Sequence, residues 1–233
     1  MDQNYIDWLY GLSAPMVALN KEYGASYTTP FFFPDRDFVD MNDDWGIDSR
    51  NSLLEMVFKM VDNGHAPALS RYYFMYARLF EHEWIEYCRT LTDYQKVLIE
   101  MVEQTSSVCG TGGIRAWDYA RMGYILRNGT TNKYISEQEA LWIFSRIGLR
   151  AQYYFKTWHH YFASYYIGFH YWKSLNDDDQ NLDTLRCKLS RTLRTHTMAI
   201  LRSDEESPCN RLPWLIDIEE LEKPESLMEY DWS

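Results

Sequence analysis

Apolar positions recur every three or four residues along most of this chain, the spacing of amphipathic helices. Ile6, Leu9 and Tyr10, followed by Met16 and Val17, predict a short N-terminal helical pair. The Phe31-Phe32-Phe33 run sits between Pro30 and Pro34, which argues against a helix there and predicts an aromatic plug packed on the helices. Leu53, Leu54, Val57, Met60 and Val61 form the stripe of the next helix, with Asp48 as its cap and Asn63-Gly64 as its stop. A second long helix is expected from about Ala68 to Tyr87. A third, capped by Thr92 or Asp93, carries Val97, Leu98, Met101 and Val102. Gly110-Thr111-Gly112-Gly113 then breaks the pattern and feeds a helix from Ile114 to Arg127, which Asn128-Gly129 should end.

Ser136-Glu137-Gln138-Glu139 has the form of a capping box, ahead of Ala140, Ile143, Ile147, Ala151 and Tyr154 on one face. Trp158, Phe162, Tyr165, Phe169 and Trp172 follow in alternating steps of four and three, which predicts a buried aromatic seam. After an acidic turn at 176–179, a basic helix is expected from about Asn181 to Leu201, with Arg186, Lys188, Arg191 and Arg194, and Arg202 just beyond. From Ser203 the chain is acidic and carries Pro208, Pro213 and Pro224. An extended tail is expected there, with Leu212-Pro213-Trp214-Leu215-Ile216 docked on the body. No sustained alternation of period two appears, and no repeat of 20–50 residues. The fold class is therefore all-α: a single multi-helix, bundle-like domain with an extended C-terminal tail. Its parts are a helical pair and aromatic loop (1–44), a helical core (45–202) and the acidic tail (203–233).

With 233 residues, 46% of them hydrophobic and 17% aromatic, the chain can build a large core without disulfides. No apolar run is long enough for a transmembrane helix, and Asp2 and Asp7 without an early Lys or Arg do not read as a secretory signal. Cys88, Cys109, Cys187 and Cys209 form no CxxC pair, so a zinc ribbon or thioredoxin-type site is disfavoured and reduced thiols in a cytoplasm are expected. A net charge of −11 disfavours binding to a nucleic-acid backbone and suits a basic protein partner.

Metal chemistry fails on spacing. His82-Glu83 opens like a zincin helix, but Glu86 stands where the second histidine belongs. No Glu-x-x-His pair is present, and His159 and His170 are too far apart on one helix to share an ion. No cofactor motif is complete either. Gly110 to Gly113 could present amides to an anion with Arg115 nearby, or could simply supply the positive φ of a turn. The densest polar cluster is Ala116-Trp117-Asp118-Tyr119-Ala120-Arg121. On a helix Asp118 is three residues from both Arg115 and Arg121, and Trp117 is one turn from Arg121, within cation–π reach. Arg127 and Glu139 lie across the following turn and are expected to join the network. Arg115, Trp117, Asp118, Arg121, Arg127 and Glu139 are thus the candidate binding residues. They form either a buried ion network that fixes helix register or a polar pocket for an anionic ligand.

The series Trp45-Gly46-Ile47-Asp48-Ser49-Arg50, Gly64-His65, Ala116 to Arg121, Tyr134-Ile135-Ser136 with Glu139-Ala140, Gln152, Phe155, Trp158, Gly168 and Trp172 resembles, in order and spacing, the bacterial family known as domain of unknown function 1266. The resemblance covers roughly residues 45–220. It implies a bacterial, cytoplasmic, mostly helical protein of a kind often found beside secreted-toxin loci, and it carries no activity with it. The expected function is a non-catalytic protein-binding module, an immunity (antitoxin-like) protein that occludes a basic toxin domain. The alternative is an enzyme or sensor that takes a nucleotide or phosphorylated small molecule at residues 110–139.

Overall fold

Four helix starts in the computed structural model, which describes residues 2–176 and 198–232, trace to one side chain that takes an orphan amide of the first turn. Asp2 caps α1 (Gln3–Gly11), Ser49 caps α4 (Arg50–Asn63), Thr92 caps α7 (Asp93–Cys109) and Ser136 caps α9 (Glu137–Tyr154). The other helices are α2 (Ala14–Asn20), α3 (Asn42–Trp45), α5 (Pro67–Arg78), α6 (Glu81–Arg89), α8 (Arg115–Thr131), α10 (Trp158–Asn176) and α11 (Pro208–Arg211). Residues 198–203 are also helical. Among the described residues there is no strand beyond one isolated bridge, Met41 to Ile47, so the chain is all-α.

Three local readings are corrected. The α4 cap is Ser49, not Asp48; the Asp48 carboxylate instead accepts from the Ser52 hydroxyl at 3.0 Å. The long helix expected over 68–87 breaks at Leu79, which is extended. It restarts because the Glu83 carboxylate accepts the Phe80 amide at 2.8 Å. The break lets Tyr76 and Trp84 meet edge-on with centroids 5.0 Å apart, while the Trp84 indole donates to Glu103 on α7 at 2.7 Å. Finally, Asn128-Gly129 does not end α8, which runs on to Thr131. Gly129 is there for contact: Leu53 of α4 fills the space a Cβ would need.

Two apolar clusters result. The larger joins α1, α2, α4, α8, α9 and α10, and the smaller joins α5, α6 and α7 to Ile114, Ile167 and Tyr171. Phe32 and Phe33 form the expected plug, Phe32 lying edge-on to Tyr124 at 4.7 Å, whereas Phe31 stays exposed. On α10, Trp158, Phe162 and Tyr165 are buried, and Phe169 and Trp172 pack against the core from its rim. Ser164, fully buried on α10, donates to the Gly113 carbonyl at 2.6 Å and accepts the Ala116 amide at 3.2 Å, tying α10 to the start of α8.

The C-terminal strap docks as expected. Three indole N–H groups fix it: Trp8 donates to Trp214 O, Trp158 to Leu212 O and Trp214 to Phe155 O, all at 2.8–2.9 Å. Gln152 holds the carbonyls of Trp214 and Ile216. Leu215, between them, faces outward. No disulfide joins Cys88, Cys109 or Cys209 to another described cysteine. Most of the expected basic helix, with Cys187, lies outside the described residues. No helix among the described residues is long and apolar enough to cross a membrane.

Candidate functional site

Asp118 sits one turn into α8 and is 2% exposed. Its partners come from a distant segment. The amides of His65 and Ala66 donate to its two carboxylate oxygens at 3.1 and 2.8 Å, so Asp118 caps the start of α5 from another helix. Gly64 makes this possible, because a Cβ there would lie 2.5 Å from the carboxyl group. Arg121 approaches the same carboxylate at 3.6 Å. Its guanidinium also sits 2.9 Å from His65 Nδ1 and lies over the rings of Trp45 and Trp117, at 4.8 and 5.1 Å. Burial pulls the Arg121 pKa below its ordinary value, and the Asp118 charge works against that pull.

The pairing of Asp118 with Arg121 and the stacking of Trp117 on Arg121 are therefore present, as the helical spacing predicts. The other three candidates go elsewhere. Arg115 turns back to the carbonyls of Thr111 and Gly112 and stacks on Tyr154 at 4.3 Å, so Asp118 lies against one arginine rather than between two. Arg127 is nine residues beyond Asp118, about two and a half turns, which puts it on the opposite face of α8. It is fully buried, without a carboxylate partner among the described residues. Its donors satisfy Ser13 Oγ and the carbonyls of Ser26, Thr29 and Phe31, so it organises the N-terminal loop. Burial drives its pKa down to about 9.

Glu139 forms a third, separate knot. It closes the capping box with Ser136 at 2.7–2.8 Å, pairs with Arg50 of α4 at 2.6 Å and accepts from Ser226 of the strap, also at 2.6 Å. Burial alone would raise its pKa, but these bonds prevail and hold it at about 2. Gly110 and Gly113, whose amides were candidates for an anion, both have positive φ and make the α7–α8 turn. Among the described residues no three His, Cys, Asp or Glu side chains converge as metal ligands would.

Helical spacing within one segment does not reveal Gly64, His65 and Trp45 as partners of Asp118 and Arg121. The signal that does is the family-like series, whose members meet in space. Gly64 and His65 lie on Asp118, Gly168 lets α10 close on Trp117, and Trp172 reaches the Trp117 ring at 5.6 Å. Gln152, Phe155 and Trp158 hold the strap, and Ser136 with Glu139 ties α9 to α4 and the strap. Each of these groups joins one element to another.

Comparison with known proteins agrees with this pattern. A family model described as "Protein of unknown function (DUF1266)" matches residues 40–214. The Escherichia coli (strain K12) protein YbeR, described as uncharacterized, is 41% identical over 191 residues, covering 82% of this chain and 80% of its own. YbeU of the same organism, likewise uncharacterized, is 36% identical over 171 residues, 73% of each chain. No solved structure matches. The chain thus belongs to the DUF1266 family of proteins of unknown function.

Proposed function

We propose that this protein is a cytoplasmic protein-binding module, of the immunity (antitoxin-like) kind, that captures and occludes a basic partner domain such as a toxin. The observation that carries this reading is where the charge sits. Residues 203–233 hold ten carboxylates against Arg211 and Lys223, a net −8 of the chain's −11. Along the strap Asp217, Glu219, Glu220, Glu222, Glu225, Glu229 and Asp231 are exposed. Leu215 and Met228 stand out among them, 64% and 61% exposed.

An acidic surface spread evenly would serve solubility alone. Here it is concentrated, most of all on the strap, whose backbone is pinned to α1, α4, α9 and α10, and secondly in the acidic run of residues 35–48. A fixed field of one sign speeds the capture of an oppositely charged partner, and exposed apolar side chains within it supply anchors. The candidate chemical groups support the same reading, because Asp118, Arg127 and Glu139 are committed to interior joints.

The test is co-expression with the product of the adjacent gene, followed by calorimetry. The expected result is a stoichiometric complex that weakens as salt rises and weakens again when Glu219, Glu220 and Glu222 are changed together to glutamine. Absence of binding at micromolar concentration, or binding indifferent to that triple change, would sink the proposal.

A further inference from the structure

The turn from α8 to α9 closes on a paired hydrogen-bond motif. The Lys133 amide donates to Thr130 O at 3.1 Å and the Tyr134 amide to Gly129 O at 2.9 Å. This motif requires a left-handed residue just after the helix cap, and glycine meets that need with least strain. The residue here is Lys133, with φ 60°, the sole non-glycine with positive φ among the described residues. A side chain at a left-handed position that glycine would fill with less strain points to a task for that side chain.

Lys133 lines an open groove of about 800 Å³ between this turn and the loop at 31–37. Arg36 lines it as well, and neither cation makes an ion pair among the described residues. Phe31, 40% exposed beside the buried Phe32 and Phe33, forms an apolar wall. Three carboxylates border the groove. Glu139 is neutralised by Arg50, Glu137 accepts from the Tyr10 hydroxyl at 3.1 Å, and Asp37 is exposed.

We propose that this groove binds a small molecule carrying a single oxyanionic group, a carboxylate or a monophosphate, on an apolar or aromatic body. Lys133 and Arg36 meet the anion with charge-assisted hydrogen bonds, and Phe31 packs on the body. Asp37 and Glu137 offset the two cations and so discriminate against polyanions. The site is independent of the acidic strap's partner and stands or falls by itself.

The test uses phenyl phosphate and benzoate as the two probes, with ATP as the polyanion control, followed by amide chemical shifts of the labelled protein. Wild type is expected to bind at least one of the two probes saturably, with a dissociation constant of the order of millimolar for so small a ligand, and ATP more weakly. The informative variant is Lys133→Gly. It relieves the turn, so its melting temperature should rise by about 2–4 °C while the bound probe weakens about tenfold. Arg36→Gln should weaken the probe similarly with the melting temperature unchanged. Retained affinity in Lys133→Gly, a fall in its melting temperature, or no saturable shift with either probe would overturn the proposal. Benzoate and phenyl phosphate binding in different degree identifies which oxyanion the groove prefers.

Discussion

At the scale of single residues, Gly64 is under a tight steric constraint. An alanine there must push its Cβ into the carboxyl group that caps α5, and the backbone of both α5 and α8 is packed. Gly64→Ala is expected to cost about 2–3 kcal/mol in urea unfolding, as overpacking a tight contact does. Glu139 gives a pH signature. Its folded pKa of about 2 lies below its ordinary value of 4.5, so the stability it contributes is complete above pH 4.5 and disappears as pH falls through 2. Between pH 5 and pH 2.5 wild type should lose about 2 kcal/mol more than Glu139→Gln, and equal losses would refute the assignment. At this scale the sequence reveals what lies within one turn of helix: Asp118 with Arg121, Trp117 with Arg121, Ser136 with Glu139. It conceals the His65 and Arg127 contacts. His65 and Asp118 are 53 residues apart, and most of the Arg127 partners are main-chain carbonyls, which leave no mark in side-chain pattern.

At the scale of elements, the strap behaves as a further packed segment rather than a free tail. Trp214 is 5% exposed, exchanges hydrogen bonds with α1 and the end of α9, and lies 4.8 Å from the Trp158 ring. Trp214→Ala should therefore cost about 3–5 kcal/mol and release the strap to early proteolysis, measured by thermal unfolding and limited trypsin digestion. Cleavage no faster than in wild type would show that the strap is held some other way. The docking of Leu212 to Ile216 was legible because an apolar pentad in an acidic, proline-rich stretch has nowhere else to go. The break between α5 and α6 was not, because its cap pairs Glu83 with the amide of Phe80, a residue type outside the usual N-cap set. Nor was the full length of α8, since Asn128-Gly129 carries the signature of a stop and Gly129 is instead required by Leu53.

At the scale of the whole molecule, the side chains that resemble an assembled reaction centre are distributed over three separate joints. The Asp118 joint ties α5 to α8, the Arg127 joint ties α8 to the N-terminal loop, and the Glu139 joint ties α9 to α4 and the strap. The outer surface carries the negative charge that the strap concentrates. The division matters because functional and structural polar groups respond oppositely to removal. Groups kept for chemistry are commonly neutral or stabilising to replace, whereas a buried joint collapses when one member is lost. Urea unfolding of Asp118→Ala distinguishes the two. A loss of about 3–5 kcal/mol is predicted, since Arg121 would be left buried without its counter-charge and two amides without their acceptor; an unchanged or raised stability would contradict the structural role and reopen the cluster as a reaction centre.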